Sequence, residues 1–295
     1  MPSEPVMQLR AITWNMNQNV AAWGAIPDGV DVVMAQESVV PGVARVVNVT
    51  PSRDGAWQTV GGRRPWCTSV AQVGNRVRTF APVGTRRLAE SGEGLLPVSL
   101  MGSIAAADIG LIDGTTVTLV SMYAAWDYHP AKTIWADGSA HRLASDLSYL
   151  ARFRGHRIIA AGDLNILYGY GEGNERDPEF WAGRYRTVFD HFAAIGLDFV
   201  GPQHPLGRQA EPWPDELPRD SKNVPTYHTS QKSPATAERQ LDFVFASRDL
   251  APRLLVTARN ALKDWGPSDH CRVEIELFDR AIVHHREEPS HETRT

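Results

Sequence analysis

The chain has 295 residues, 42% of them hydrophobic, enough to bury a large core, and its formal charge of -4 offers no global basic field for nucleic acid. Its two cysteines, Cys67 and Cys271, lie far apart without CxxC spacing, which argues against a zinc site or a disulfide framework. The start Met1-Pro2-Ser3-Glu4-Pro5 lacks the pattern of a secretory signal, no window reaches membrane-spanning length and no repeat is visible. The expectation is a soluble cytoplasmic protein with one domain over residues 1–283 and a polar, disordered tail over 284–295.

Residues Gln8 to Trp14 alternate as a strand and end at Asn15-Met16-Asn17, a first candidate site edge. Ala21 to Ile26 reads as a short helix, and Val30 to Gln36 as an apolar run ending in the carboxylate of Glu37. From Val43 to Val120, β-like runs at Ala56–Val60, Thr68–Val73, Val98–Ile104 and Val117–Tyr123 alternate with Gly, Asn and Pro, which predicts antiparallel meanders. Arg63, Arg64, Arg76, Arg78, Arg86 and Arg87 fall there, and together they would make a local basic surface that the net charge conceals; scattered solvated arginines are the plainer alternative.

Tyr123 ends its strand and is followed by Trp126, Asp127, Tyr128 and His129, a mixture suited to lining a substrate or to packing at a rim. A helix starting at Ser139 or Ala140 carries Leu143, Leu147 and Leu150 on its buried stripe, with Arg142 and Asp146 off it. The next strand, Arg157 to Gly162, stops at Asp163-Leu164-Asn165. If the extended geometry persists, Asp163 and Asn165 leave on one face while Leu164 turns to the core.

Tyr168 to Arg176 is glycine-rich and reads as a surface loop carrying Tyr170, Glu172 and Glu175. Pro178 to Ile195 reads as a helix, Leu197 to Val200 as a short strand, and Gly201 to Pro225 as an irregular excursion rather than packed structure. A brief strand Thr226-Tyr227-His228-Thr229 follows. Gln240 to Ala246 is a strand with Asp242 between Leu241 and Phe243, a carboxylate that is costly in an apolar run unless a partner such as a histidine meets it. Asp269 and His270 stand side by side at the entry to the last strand.

Five pieces stand out in this order: Thr13-Trp14-Asn15, Gln36-Glu37, Gly162-Asp163-Leu164-Asn165, Leu241-Asp242-Phe243 and Ser268-Asp269-His270-Cys271. In this the chain resembles the endonuclease/exonuclease/phosphatase superfamily, the deoxyribonuclease-I-like group. The resemblance implies an α+β fold, a four-layer αββα sandwich of two mostly antiparallel mixed sheets packed face to face with helices outside. It also implies a metal-dependent hydrolase. Glu37 would be the principal Mg²⁺ ligand (Mn²⁺ as a substitute), with Asn15 and Asp269 close by. Asp163 would position or deprotonate the attacking water, Asn165 would hold that water or a phosphoryl oxygen, His270 held by Asp242 would face the phosphate, and Tyr123 would contact a phosphate oxygen. Trp126, Asp127, Arg142 and His228 are the candidate substrate contacts.

Departures from the family bear on substrate: Ala124-Ala125 replaces the Pro-Asn pair of the abasic-repair branch, Asn17 stands where many nucleases carry Asp or Gly, and the inositol-phosphatase signatures are missing. The expected function is a Mg²⁺-dependent nuclease acting on DNA or RNA. The alternatives are a phosphatase or phosphodiesterase acting on a small-molecule or lipid ester, and a scaffold that has lost catalysis.

Overall fold

The computed structural model describes residues 4–59, 63–90, 92–128, 134–153, 157–169 and 178–282. Its strands are β1 (Met7–Asn15), β2 (Val32–Ser38), β3 (Asn48–Thr50), β4 (Cys67–Gln72), β5 (Val77–Val83), β6 (Thr85–Arg87), β7 (Leu96–Val98), β8 (Ile104–Leu111), β9 (Thr116–Tyr123), β10 (Asp127–Tyr128), β11 (Ile134–Trp135), β12 (Ile158–Asp163), β13 (Leu197–Gly201), β14 (Asp242–Ser247), β15 (Leu254–Arg259) and β16 (Arg272–Phe278). The α-helices are α1 (Asp137–Phe153) and α2 (Pro178–Ala194).

One six-stranded sheet has the order β15-β16-β1-β2-β4-β3, and a second has β13-β14-β12-β9-β8-β5. Both are mixed, with β1–β2 and β9–β12 parallel and the other neighbours antiparallel. Period-two patterning decides which residues fill each layer. Leu9 and Ala11 of β1 join Val32 and Met34 in the core between the sheets, where Ala105, Ala107, Leu119 and Ala161 face them. Ile12 and Trp14 point the other way and are covered by Ala22 and Trp23 of a 3₁₀ helix over Val20–Ala25.

On the far side of the second sheet, α1 and α2 bury Leu143, Leu147, Val188 and Phe192 against Val120, Ala160 and Phe245. Phe192 stacks on Phe245 at 4.1 Å between centroids. Truncating such a buried ring costs about 3–5 kcal/mol. The two α-helices thus lie on one sheet, while the other sheet's outer face is covered by a 3₁₀ turn and loops. Across the inter-sheet core, Gln36 Nε2 donates to Ser121 Oγ (2.9 Å) and Thr13 Oγ1 (3.0 Å), and Ser121 Oγ donates to the carbonyl of Ala35 (2.8 Å). These buried polar groups are satisfied only while β2 and β9 keep one alignment.

Several segments differ from the sequence expectation. The apolar run near Ile104 is the start of β8, whose Ala105 and Ala107 pack between the sheets while Ala106 faces the helices; no strand covers 99–103. β5 was not foreseen, and Ala56–Thr59 forms only an isolated bridge, Thr59 to Arg64. α1 begins at Asp137, whose carboxylate pairs with Arg184 of α2. Asp146 is buried, accepting from Ser99 N and Oγ, both at 2.7 Å, and burial raises its pKa against those bonds. The excursion before Tyr227 is irregular but packed: Leu217, Asn223 and Val224 are buried, and Asn260 ties it down through Arg208 N (2.8 Å) and the Pro225 carbonyl (2.8 Å).

Four arginines of the meander have local partners. Arg76 pairs with buried Asp31 at 3.1 Å, Arg78 donates to the Ile112 carbonyl, Arg87 pairs with Glu90, and Arg64 lies over Trp66 at 5.4 Å. Arg76 and Arg78 also sit at the end of the second sheet remote from Tyr123, because β5 pairs Val77 with Leu111 while β8 pairs Ile104 with Met122. Cys67 and Cys271 are free and buried. Among the described residues no helix is long and apolar enough to cross a membrane. His129, Tyr170, Glu172, Glu175 and the tail lie outside the described residues.

Candidate active site

Strand register collects the polar residues at one end of both sheets. Asn15 lies beside Gln36 across the parallel β1–β2 pair, and Asp163 lies beside Tyr123 of β9 and Asp242 of β14. β16 runs antiparallel to β1, so the residues just before it, Asp269 and His270, come to the same edge. Ser268 fixes them there: its Oγ donates to the Asn15 carbonyl (2.6 Å) and accepts from His270 N (3.1 Å). Trp14 Nε1 donates to the His270 carbonyl at 2.9 Å.

The expected extended geometry ends at Asp163. Asn165 has φ 51°, and its N–H donates to Asp163 Oδ1 at 2.8 Å, so a tight turn rather than the strand pleat brings the two side chains together. Asn165 Nδ2 donates to the Ala124 carbonyl at 2.9 Å, while Leu164 is buried in the helix-side core. Gly162 makes the approach possible, since a Cβ there would lie 1.9 Å from the Met122 carbonyl oxygen. Among the described residues the non-glycines with positive φ are Asn17, Gln18, Glu37 and Asn165, all at this edge. Such conformations cost about 1–3 kcal/mol each and persist where the surroundings over-determine them.

His270 and Asp163 are 5% and 1% exposed, so their charges are set by burial and by neighbouring groups rather than by water. Asp242 Oδ2 meets His270 Nδ1 at 2.8 Å, and Asp163 Oδ2 lies 3.8 Å from His270 Nε2. Burial pulls the His270 pKa down, but the charge of Asp242 and its hydrogen bond outweigh this and hold it above the ordinary value. For Asp163, burial raises the pKa and the imidazole only partly reverses this. The site therefore pairs an imidazolium with a carboxylate disposed to take a proton.

Asn15 Nδ2 donates to Asp163 Oδ2 (2.9 Å) and reaches Glu37 Oε1 (3.3 Å); its Oδ1 accepts from Asn17 N (2.9 Å). Tyr123 is 2% exposed, with its ring edge-on to Trp66 at 5.0 Å and its hydroxyl bonded to Glu37; burial, then the charges of Glu37 and Asp163, raise its pKa. It therefore stands behind Glu37.

These groups open on a pocket of about 470 Å³. Asn15, Glu37, Asp163, Asn165, Asp269 and His270 form its floor, and Trp126 a wall. Asp127, Arg142 and His228 do not line it. Arg142 grips both carboxylate oxygens of Asp127 (3.0 and 3.1 Å), and His228 packs on Trp265 at 4.9 Å. The remaining walls were not foreseen: Trp181 and Tyr185 from α2, and Glu216, Tyr227, Glu238 and Arg239 from the excursion and the segment after it. The sequence reads Tyr227 as part of a brief strand, whereas in the fold it makes isolated bridges and its ring lies 5.0 Å from that of His270.

Among the described residues no group of three or more His, Cys, Asp or Glu side chains forms a metal cage. Mg²⁺ does not need one, because it keeps several waters and is held by one or two carboxylates. Two observations fit such an ion: Asp269 Oδ1 is buried without a hydrogen-bond partner among the described residues, and besides the Tyr123 hydroxyl Glu37 receives long bonds of 3.3 and 3.4 Å from the amides of Asn15 and Gln18.

No protein-family model matches this sequence, and no curated protein sequence does. Solved structures do. The catalytic domain of Xenopus laevis APE2 superposes with a TM-score of 0.57 at 14% identity, covering 94% of each chain. AP endonuclease LMAP from Leishmania major gives 0.55 at 17% identity, covering 92% of this chain and 88% of that one. The 3′ phosphatase NExo from Neisseria, bound to a product DNA hairpin, gives 0.54 at 16% identity, covering 91% and 99%. With its two mixed six-stranded sheets packed face to face, the chain has the deoxyribonuclease-I-like fold of the endonuclease/exonuclease/phosphatase superfamily.

Proposed function

We propose that the protein is a Mg²⁺-dependent phosphoesterase, with Mn²⁺ as a substitute, that hydrolyses phosphodiester bonds of nucleic acid by in-line attack of water. The observation that carries this reading is the convergence on one pocket of the Asp242–His270 pair, Asp163 and the carboxylates of Glu37 and Asp269. The neighbours named as an AP endonuclease and as a DNA-bound 3′ phosphatase favour the substrate class. Residues 1–283 are taken as the catalytic domain.

Glu37 and Asp269 would hold the ion, which supplies charge stabilisation at the phosphoryl oxygens. Asn15 joins them only by turning its amide over, because its oxygen is held by Asn17 N. In its present orientation it braces Glu37 and Asp163. Asp163 accepts the proton of the attacking water, helped by a pKa lifted towards neutrality. Asn165 orients that water, and His270 presents Nε2–H to a phosphoryl oxygen while Asp242 keeps the ring charged. Tyr123 positions Glu37 from behind.

The second reading is a compact phosphate ester, favoured by Glu216 and Glu238 on the pocket wall, which repel a long polyanion. Incubation with labelled single- and double-stranded DNA and RNA, with Mg²⁺ or EDTA, tests the first reading. Absence of metal-dependent cleavage of all four, with phosphate released from a small-ester panel, would replace it with the second.

A further inference from the structure

The pocket over His270 is not the end of the cleft. Leu167, Ala182 and Tyr185 line it on one side and line a second chamber of about 670 Å³ on the other. The two spaces are therefore neighbours across a sill made by α2 and the turn after β12. Their chemistry differs. The first mixes Arg239 and His270 with the carboxylates Glu37, Asp163, Glu216, Glu238 and Asp269. Among the described residues, the second carries Arg186 and Lys222 against a single carboxylate, Asp220.

Three partly buried rings, Tyr168, Phe189 and Phe199, line this second chamber. They pack together with centroids 4.8 to 5.4 Å apart. Gln203 holds the Tyr168 hydroxyl, and Asn223 Nδ2 holds its carbonyl at 2.8 Å, so the ring is fixed before any ligand arrives. Arg186 and Lys222 are exposed and no ion pair ties them to a carboxylate among the described residues. A rigid aromatic surface beside two cations with no ion pair among the described residues, opening directly from the proposed phosphate-ester site, matches a flat ring that carries an anion.

We propose that this chamber is a substrate subsite for the nucleotide next to the scissile phosphate, its base packing on Tyr168, Phe189 and Phe199 and its phosphate meeting Arg186 and Lys222. The proposal rests on the phosphoesterase reading above and deepens it. It gives the strand a path out of an otherwise acidic pocket, across Tyr185, away from Glu216 and Glu238.

The test uses the full chain with Mg²⁺ and compares a nitrophenyl ester of thymidine monophosphate with oligothymidylates of two to six nucleotides. The wild-type kcat/KM is expected to rise once a second nucleotide is present. In R186A/K222A that rise is lost, about tenfold or more, and the log–log salt slope of oligothymidylate binding, read by anisotropy in EDTA, shrinks by about 1.4. Arg157→Ala, at the opposite end of β12, serves as the charge control and keeps both the rise and the slope. An equal rise and slope in R186A/K222A overturns the subsite, as does a wild type that hydrolyses the ester with no gain on lengthening. A wild type that hydrolyses neither substrate brings down the phosphoesterase reading itself, and the subsite with it.

Discussion

Replacing Asp242 by Asn keeps the shape and a hydrogen-bond acceptor beside His270 but removes the charge 2.8 Å from Nδ1. Charge centres about 4 Å apart attract by about 4 kcal/mol at an effective dielectric near 20, and one pKa unit is about 1.4 kcal/mol. Burial, which opposes the imidazolium, is unchanged by the substitution, and the Asp163 charge remains. Allowing for the carbonyl that replaces the carboxylate, the His270 pKa should fall by about 2 units. The wild-type rate profile should rise on the acid side as Asp163 loses its proton, above the ordinary 3.8, and fall on the alkaline side as His270 does, above the ordinary 6.5.

In D242N the alkaline limb should therefore move to lower pH. The stability sign follows from the same shift. A histidine whose folded pKa is raised stabilises the fold fully below its unfolded value and loses that contribution as pH rises through the folded value. The substitution should thus cost most near pH 6, about 3 kcal/mol, and less near pH 9. Urea melts at both pH values and the pH profile of bis-nitrophenyl phosphate hydrolysis read the two effects. An unmoved alkaline limb together with a pH-independent stability loss would refute the reasoning.

Asp163→Ala and His270→Ala should each lower kcat/KM by about 10²–10⁴-fold while circular dichroism stays native; a loss below about tenfold would remove them from the reaction. Mg²⁺ should raise the thermal midpoint of the wild type, by about 2.7 kcal/mol of added stability at a hundred times its dissociation constant, and should not do so in Glu37→Gln. An equal rise in both would place the ion elsewhere. Gly162→Ala drives a Cβ to 1.9 Å from backbone and should yield a chain destabilised by about 3 kcal/mol or more, seen by denaturant titration; a wild-type midpoint would contradict the packing at β12. Burial pushes the Cys67 thiol up to about 12 and raises that of Cys271, so neither should react with a disulfide reagent until the chain unfolds. Rapid labelling of the native protein would count against that burial.

Much of the site's floor could be read from the sequence because strand ends leave a local signature. An apolar run that stops at Glu37, Asp163 or Asp242 announces both the strand and the polar residue it delivers. The walls left no such trace. Trp181 and Tyr185 read as ordinary positions on a helix, and Tyr227 and Arg239 enter through two isolated bridges, Tyr227 to His270 and Arg239 to Tyr227. Their meeting depends on long-range packing that periodicity does not encode. Arg142 and Asp127 mislead for a related reason: each has the chemistry of a substrate contact, and each spends it on the other. β8 was displaced because its alanines carry no β-branched signal, although small side chains are what a close inter-sheet contact selects.

The groups to which the proposed reaction gives roles are divided between the two halves of the sandwich. Asn15, Glu37 and His270 travel with one sheet, Asp163 and Asp242 with the other, and Gln36 and Ser121 pin one half to the other just beneath them. A slip of about 1 Å between the halves would leave every strand hydrogen-bonded yet part the imidazole from its carboxylates, and misplacement of that size can cost about a hundredfold in rate. Under the proposed reaction, turnover would gauge how the halves are seated, and on warming it should fade before the backbone ladders melt.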